Sequence, residues 1–201
     1  MLVDFTALPA RDVYRWMTTT ITPRPIAWVS TISAEGGPNL APFSFFNGIS
    51  SNPPMLMFVP VNNREGVPKD TVRNLEATKE MVVHIVSADL AAAMNQTAAL
   101  LPPEESEFDF AGIAQVPSTR VKPPRVAGAR VAFECTLHSI TKLGEGPGAS
   151  NVVFASILCA HVADDVVVDG NRVDPGKLDA IGRLGGDAYC FTRDRFEVER
   201  P

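Results

Sequence analysis

Alternation of apolar and polar positions marks several stretches of the chain as strands. Pro25–Ser33 is rich in β-branched and aromatic residues. A period of two puts Trp28, Ser30 and Ile32 on one face and Val29, Thr31 and Ser33 on the other. Leu40–Phe46 is a second such run, and the turn residues Glu35-Gly36-Gly37-Pro38 between them predict a β-hairpin. Met55–Val61 reads as a buried strand ending near Pro60, and Glu80–Ser87 as the next strand. Val131–Leu143 alternates well, with Val131, Phe133, Cys135 and Leu137 on one face and Glu134, Thr136 and His138 on the other, the pattern of a half-buried strand. Asn151–Val168 is apolar on both faces and predicts a central strand, or two, closing at the tight-turn pair Asp169-Gly170. The last strand is expected at Ala188–Thr192, with Phe196–Val198 as an extension.

Helical spacing appears in three places. Residues 10–19 follow Pro9 and put Val13, Trp16 and Met17 on one face, which should pack against the strands. Residues 70–78 turn Val72 and Leu75 inward, and residues 89–97 follow Ser87 or Asp89 as a cap. Between these elements, residues 98–130 form the longest irregular region. It contains Pro102, Pro103, Pro117, Pro123 and Pro124, with Glu104, Glu105 and Glu107 read as a solvated acidic loop. A region of this kind is either a functional lid or a segment that wraps a partner subunit. Gly144–Ser150 is read as a hairpin connection, and no internal repeat is visible. The fold class is therefore mainly β: an antiparallel β-barrel with helical insertions, in one domain spanning residues 1–201.

Composition narrows the function classes. The formal net charge is −5 with both signs interspersed, so neither a basic stripe for nucleic acid nor a polybasic patch for a membrane is present. No apolar run approaches the ~18 residues of a membrane span, and Met1–Phe5 lacks the features of a signal peptide, so a cytoplasmic location is expected. Cys135, Cys159 and Cys190 are widely spaced among apolar neighbours and read as small buried hydrophobes. His84, His138 and His161 show no HxH or HxxxH spacing, so no metal site is expected. Neither a G-x-S-x-G elbow nor a G-x-G-x-x-G dinucleotide fingerprint occurs.

Three groups of residues carry candidate chemistry. Lys69-Asp70-Thr71 opens a helix, where unpaired N–H groups and the positive end of the dipole favour an anion. Lys69 adds a charge and Thr71 a hydroxyl, whereas Asp70 suits a helix cap. Ser44, Asn47, Ser50 and Ser51 surround a segment that Pro53 and Pro54 keep out of a helix or a central strand. Phe43, Phe45 and Phe46 can supply an apolar floor beside it. Arg24 precedes Pro25, so its backbone is extended and its side chain can lie along a groove.

Four segments in order resemble one family. They are Arg24-Pro25-Ile26-Ala27-Trp28-Val29-Ser30-Thr31, Asn39–Asn47, Lys69-Asp70-Thr71 with Asn74, and Arg183-Leu184-Gly185-Gly186 followed by Tyr189. Together they resemble the flavin-reductase-like proteins with an FMN-binding split barrel, in the branch that contains flavoredoxin-type proteins. The resemblance implies that Lys69, Asp70 and Thr71 hold the FMN phosphate, with Asp70 capping the helix and its carboxylate turned away. It further implies that Ser30, Thr31, Ser44, Asn47 and Ser50 line the flavin, with Arg183 and Arg24 reaching toward the pocket. An NAD(P)H oxidoreductase follows from it, taking hydride from NADH or NADPH and passing electrons to a flavin, a partner monooxygenase or another acceptor. A non-catalytic FMN-binding electron carrier is the alternative. The flavin itself does the hydride chemistry, so no side chain is assigned as a catalytic acid or base. A homodimer is implied as well.

Overall fold

The structure is a computed structural model that describes residues 1–102 and 105–201. Helix α1 (Ala10–Thr20) leads into the hairpin of β1 (Ala27–Ile32) and β2 (Pro38–Phe43). Strands β3 (Phe46–Ser51) and β4 (Pro54–Phe58) form a second hairpin. Helix α2 (Asp70–Thr78), β5 (Glu80–Ile85) and α3 (Ala91–Gln96) follow. Within the long irregular region lie the short α4 (Glu107–Phe110), β6 (Gln115–Val116) and β7 (Arg125–Val126). The two longest strands, β8 (Val131–Leu143) and β9 (Ser150–Val162), pair as a hairpin. After them come β10 (Val167–Val168), β11 (Arg172–Val173), α5 (Pro175–Leu178), β12 (Ile181–Arg183) and β13 (Tyr189–Phe191).

Seven strands make one antiparallel sheet in the order β2-β1-β5-β8-β9-β4-β3. Its two edge strands, β2 and β3, are consecutive in the chain, so the sheet curls into a barrel that is split between them. The Val59 N–H donates to the Phe45 carbonyl at 3.0 Å, which adds one more rung to the β3–β4 hairpin beside the split. The expected alternation of β1 then sorts its side chains between two cores. Ala27 and Val29 point into the barrel with Phe43, Phe58, Met81 and Val83, whereas Ile26 and Trp28 point outward into a second cluster with Met94, Phe108 and Val126. Phe108, Ile113, Val126 and Ala129 of the 98–130 region belong to that second cluster, so they pack on the chain's own sheet rather than hanging free as a lid. The buried Trp28 indole anchors the layer by donating to Thr97 Oγ1 at 2.9 Å.

Several sequence expectations are corrected. Asn47–Ser51 is an exposed edge strand with a bulge between Gly48 and Ser50, not an irregular loop. Two prolines do not prevent this, because they fall at the turn and on the first residue of β4, where a strand tolerates them. Glu107 is buried rather than solvated, Glu105 is exposed, and Glu104 lies outside the described residues. Glu134 is fully buried although it lies on the polar face of β8, because the 98–130 segment covers that face. Its carboxylate accepts the backbone N–H groups of Thr119 (2.7 Å) and Arg120 (2.5 Å). Asn151–Val168 resolves into β9, a short helical turn and β10, with Asp169 and Gly170 both at positive φ in the expected tight turn. Phe196–Val198 extends no strand, and α1 leaves Met17 about a third exposed while burying Thr18. No described helix is long and apolar enough to cross a membrane.

Candidate functional site

A continuous groove follows the end of β2 and passes between α2, α1 and β12. Its most voluminous part, about 430 Å³, lies against Lys69, Asp70, Thr71, Asn39 and Thr97–Leu101. A hollow of about 160 Å³ continues past Phe43, Ser44 and Phe45, and another of about 200 Å³ reaches Asn95, Arg183 and Tyr189. Pro42 lines all three, Lys69 and Ala98 join the large part to the smaller ones, and Tyr14 on α1 overhangs both small hollows. The groove thus has a basic end at a helix start, an apolar middle of Pro42 and Phe45, and a polar far end.

The basic end is built from the hairpin outward. Lys69 itself is the N-cap of α2 and gives no side-chain cap, and it enters no ion pair among the described residues. Asp70 is therefore the first helical residue and not the cap, which corrects the sequence expectation. Its carboxylate pairs with Arg73 one turn on, which draws it aside from the helix axis. Thr71 is buried, and its hydroxyl donates to Asn39 Oδ1 at 3.0 Å. Asn39 is the hub of the site. Its Oδ1 also accepts from the Thr31 hydroxyl (3.2 Å), and its Nδ2 donates to Glu107 Oε2 (2.7 Å). Asn74 Nδ2 donates in turn to Thr31 Oγ1 at 3.1 Å, and the Leu40 N–H donates to the same Glu107 oxygen at 2.9 Å. A buried network with every partner satisfied locks the first turn of α2 against β1 and β2, which pre-organises its N–H groups.

The far end is shaped by glycines and arginines. Arg24 is buried, and its Nη1 donates to the carbonyls of Thr18 (2.6 Å) and Ile21 (2.8 Å) and its Nη2 to that of Leu184 (3.0 Å). It ties the end of α1 to the β12 turn. Arg183 stacks its guanidinium 4.3 Å from the Tyr189 ring centre and donates to the Gly186 carbonyl at 2.5 Å. Tyr189 donates to Asn95 Oδ1 at 3.2 Å, linking the turn to α3.

Of the residues singled out from sequence, the groove brings together Ser44, Lys69, Asp70, Thr71 and Arg183. Thr31 stands behind it through Asn39, and Arg24 beneath it, 3.4 Å from the Ser44 hydroxyl. Ser30 lies on the opposite face of β1, donating to the Pro124 carbonyl at 2.6 Å. Asn47 and Ser50 are exposed on β3 and line none of the three hollows. Sequence reasoning assigned no role to Tyr14, Asn39 or Asn95, and it misread Glu107. Asn39 had a signal, being the polar residue at the turn exit of an otherwise apolar strand. Tyr14 had none, since it lies off the apolar face of its helix.

A seven-stranded antiparallel split barrel with helices packed around it is the architecture of the flavin reductase-like proteins. The chain belongs to the flavin reductase like domain family, whose match covers residues 18–174. A relative from Deinococcus radiodurans is 40% identical over 98% of this chain and 88% of its own. Among solved structures, nitrilotriacetate monooxygenase component B from Bacillus cereus superposes with a TM-score of 0.93 at 34% identity, covering 98% of both chains. The 2-nitrobenzoate 2-nitroreductase NbaA of Pseudomonas fluorescens gives 0.90 at 29% identity, covering 100% of this chain and 96% of that one.

Proposed function

We propose that the chain is an FMN-dependent NAD(P)H oxidoreductase. The observation that carries this reading is the single groove joining the Lys69 end of α2 to Ser44, Arg183 and Tyr189 across an apolar floor. The residues fit the group. Lys69 and the first-turn N–H groups of α2 suit a phosphate, with Asp70 drawn aside by Arg73. Pro42 and Phe45 offer an apolar surface for a ring system, and Ser44 and Asn95 offer hydrogen bonds at its rim. When bound, FMN supplies the hydride-accepting and electron-passing chemistry. The protein's part is to hold the ring on the β2 side and leave the side under Tyr14 as the approach for the nicotinamide of NADH or NADPH.

The likeness to a monooxygenase component B supports a partner monooxygenase or a free flavin as the electron acceptor. We infer a homodimer too: β3 is an unpaired sheet edge with Ile49 exposed, which a second copy would cover. Anaerobic mixing of the FMN-bound protein with NADH or NADPH tests the activity through loss of flavin absorbance. Bleaching by either nicotinamide is expected. If dithionite bleaches the flavin and neither nicotinamide does, the protein is a non-catalytic electron carrier instead.

A further inference from the structure

Outside the groove, one cluster of chemically capable side chains is not used by the proposed function. Glu134 on β8 sits directly across from Cys159 on β9, and His161 lies two residues further along the same face of β9. The carboxylate oxygen, the thiol sulfur and an imidazole nitrogen all fall within 4.8 Å of one another. His161 Nε2 is 2.5 Å from Glu134 Oε1, and the Thr119 hydroxyl is 3.5 Å from the same ring nitrogen. Glu134 is fully buried, whereas Cys159 and His161 are half-buried, so one side of the cluster opens to solvent.

We propose that Glu134, Cys159 and His161 form a three-ligand site for a divalent zinc ion, with water completing the tetrahedron. The donor set argues for zinc: one sulfur, one imidazole and one carboxylate suit a borderline-soft ion and not Mg²⁺ or Ca²⁺, which take oxygen alone. The size fits as well. Zinc bonds of roughly 2.0–2.3 Å place tetrahedral ligand atoms about 3.3–3.7 Å apart, so side-chain rotations of about 1 Å bring the cluster into register. Binding releases the Cys159 thiol proton. The thiolate and carboxylate then neutralise the dication. The carboxylate is already oriented by the N–H groups of Thr119 and Arg120, the outer-shell support that a metal ligand needs. A zinc ion there would clamp the 115–126 crossing onto β8 and β9.

The test uses the full chain, stripped with a chelator and titrated with Co²⁺, recorded as difference spectra so that any bound flavin cancels. One equivalent is expected, with a thiolate-to-cobalt charge-transfer band and intense visible bands of a tetrahedral ion, both abolished by stoichiometric Zn²⁺. Cys159→Ser should remove the charge-transfer band and weaken Zn²⁺ by about 100-fold or more, while Cys190→Ala leaves both unchanged. Glu134→Gln risks loosening the fold, so His161→Gln is the second ligand variant, with the same loss of affinity and an unchanged circular dichroism spectrum. Absence of the band in the unmutated protein, or its survival in Cys159→Ser, would overturn the assignment.

Discussion

His84 shows how one buried side chain sets a pH dependence. Its Nδ1 lies 2.8 Å from the Trp28 carbonyl and its Nε2 accepts the Val126 N–H at 3.0 Å, so the ring is neutral and carries its proton on Nδ1. Burial pushes its pKa down from 6.5 to about 4, against the pull of the Trp28 carbonyl. The folded state thus prefers the neutral ring. That stability is fully present above pH 6.5 and is lost as the pH falls toward 4, by about 3 kcal/mol. Urea midpoints at pH 7 and pH 5 should show the loss, and His84→Gln should flatten it. Arg24 makes a second case. Arg24→Met would leave three carbonyls without their donor and is expected to cost about 3 kcal/mol or more, read as a lowered denaturation midpoint. Single residues were the hardest to read from sequence. Arg24 stood out as a long cation in an extended segment, but the three carbonyls it serves come from elements 6 and 160 positions away or nearby in the chain. Glu107 looked solvated because nothing local reveals that Asn39 and the Leu40 N–H, 68 and 67 residues earlier, need its oxygen.

Elements were more legible, because period and turn chemistry are local. Residues 70–78 and Val131–Leu143 have the predicted bounds, and the β1–β2 hairpin turns where its glycines sit. The misses share one cause: distant chain decides what is covered. β3 reads as a polar loop because, at the sheet edge, its side chains meet little protein. Glu134 reads as solvent-facing because the segment above it is irregular. The turn after β12 has a more specific reason. A Cβ on Gly185 would lie 2.4 Å from Thr19 Cγ2, so only glycine lets the turn close onto α1. Gly185→Ala is expected to destabilise by about 1–3 kcal/mol, seen as a lower thermal midpoint. It should also loosen the groove's far end, seen as weaker flavin binding at a temperature where the variant is folded.

For the whole molecule, the resemblance read from four short motifs was enough to indicate the barrel, because those motifs lie on the hairpin, α2 and the β12 turn that frame the groove. Asn39, Thr31 and Asn74, which brace the groove from behind, lie within those motifs, and what no motif discloses is that Glu107 completes their network. The unpaired β3 edge leads to an expected dimer mass in light scattering at micromolar concentration. A chain that stays at 21.6 kDa would contradict the inferred assembly. The Lys69 end of the groove is where a flavin phosphate would be recognised, and a fluorescence titration with FMN and with riboflavin tests that most directly. Charge-assisted bonds are about twice as strong as neutral ones, so FMN should bind more tightly by several kcal/mol, roughly 100-fold or more. Lys69→Ala should narrow that gap while leaving the circular dichroism spectrum unchanged. Equal affinities for the two ligands would contradict the assignment of this groove to FMN.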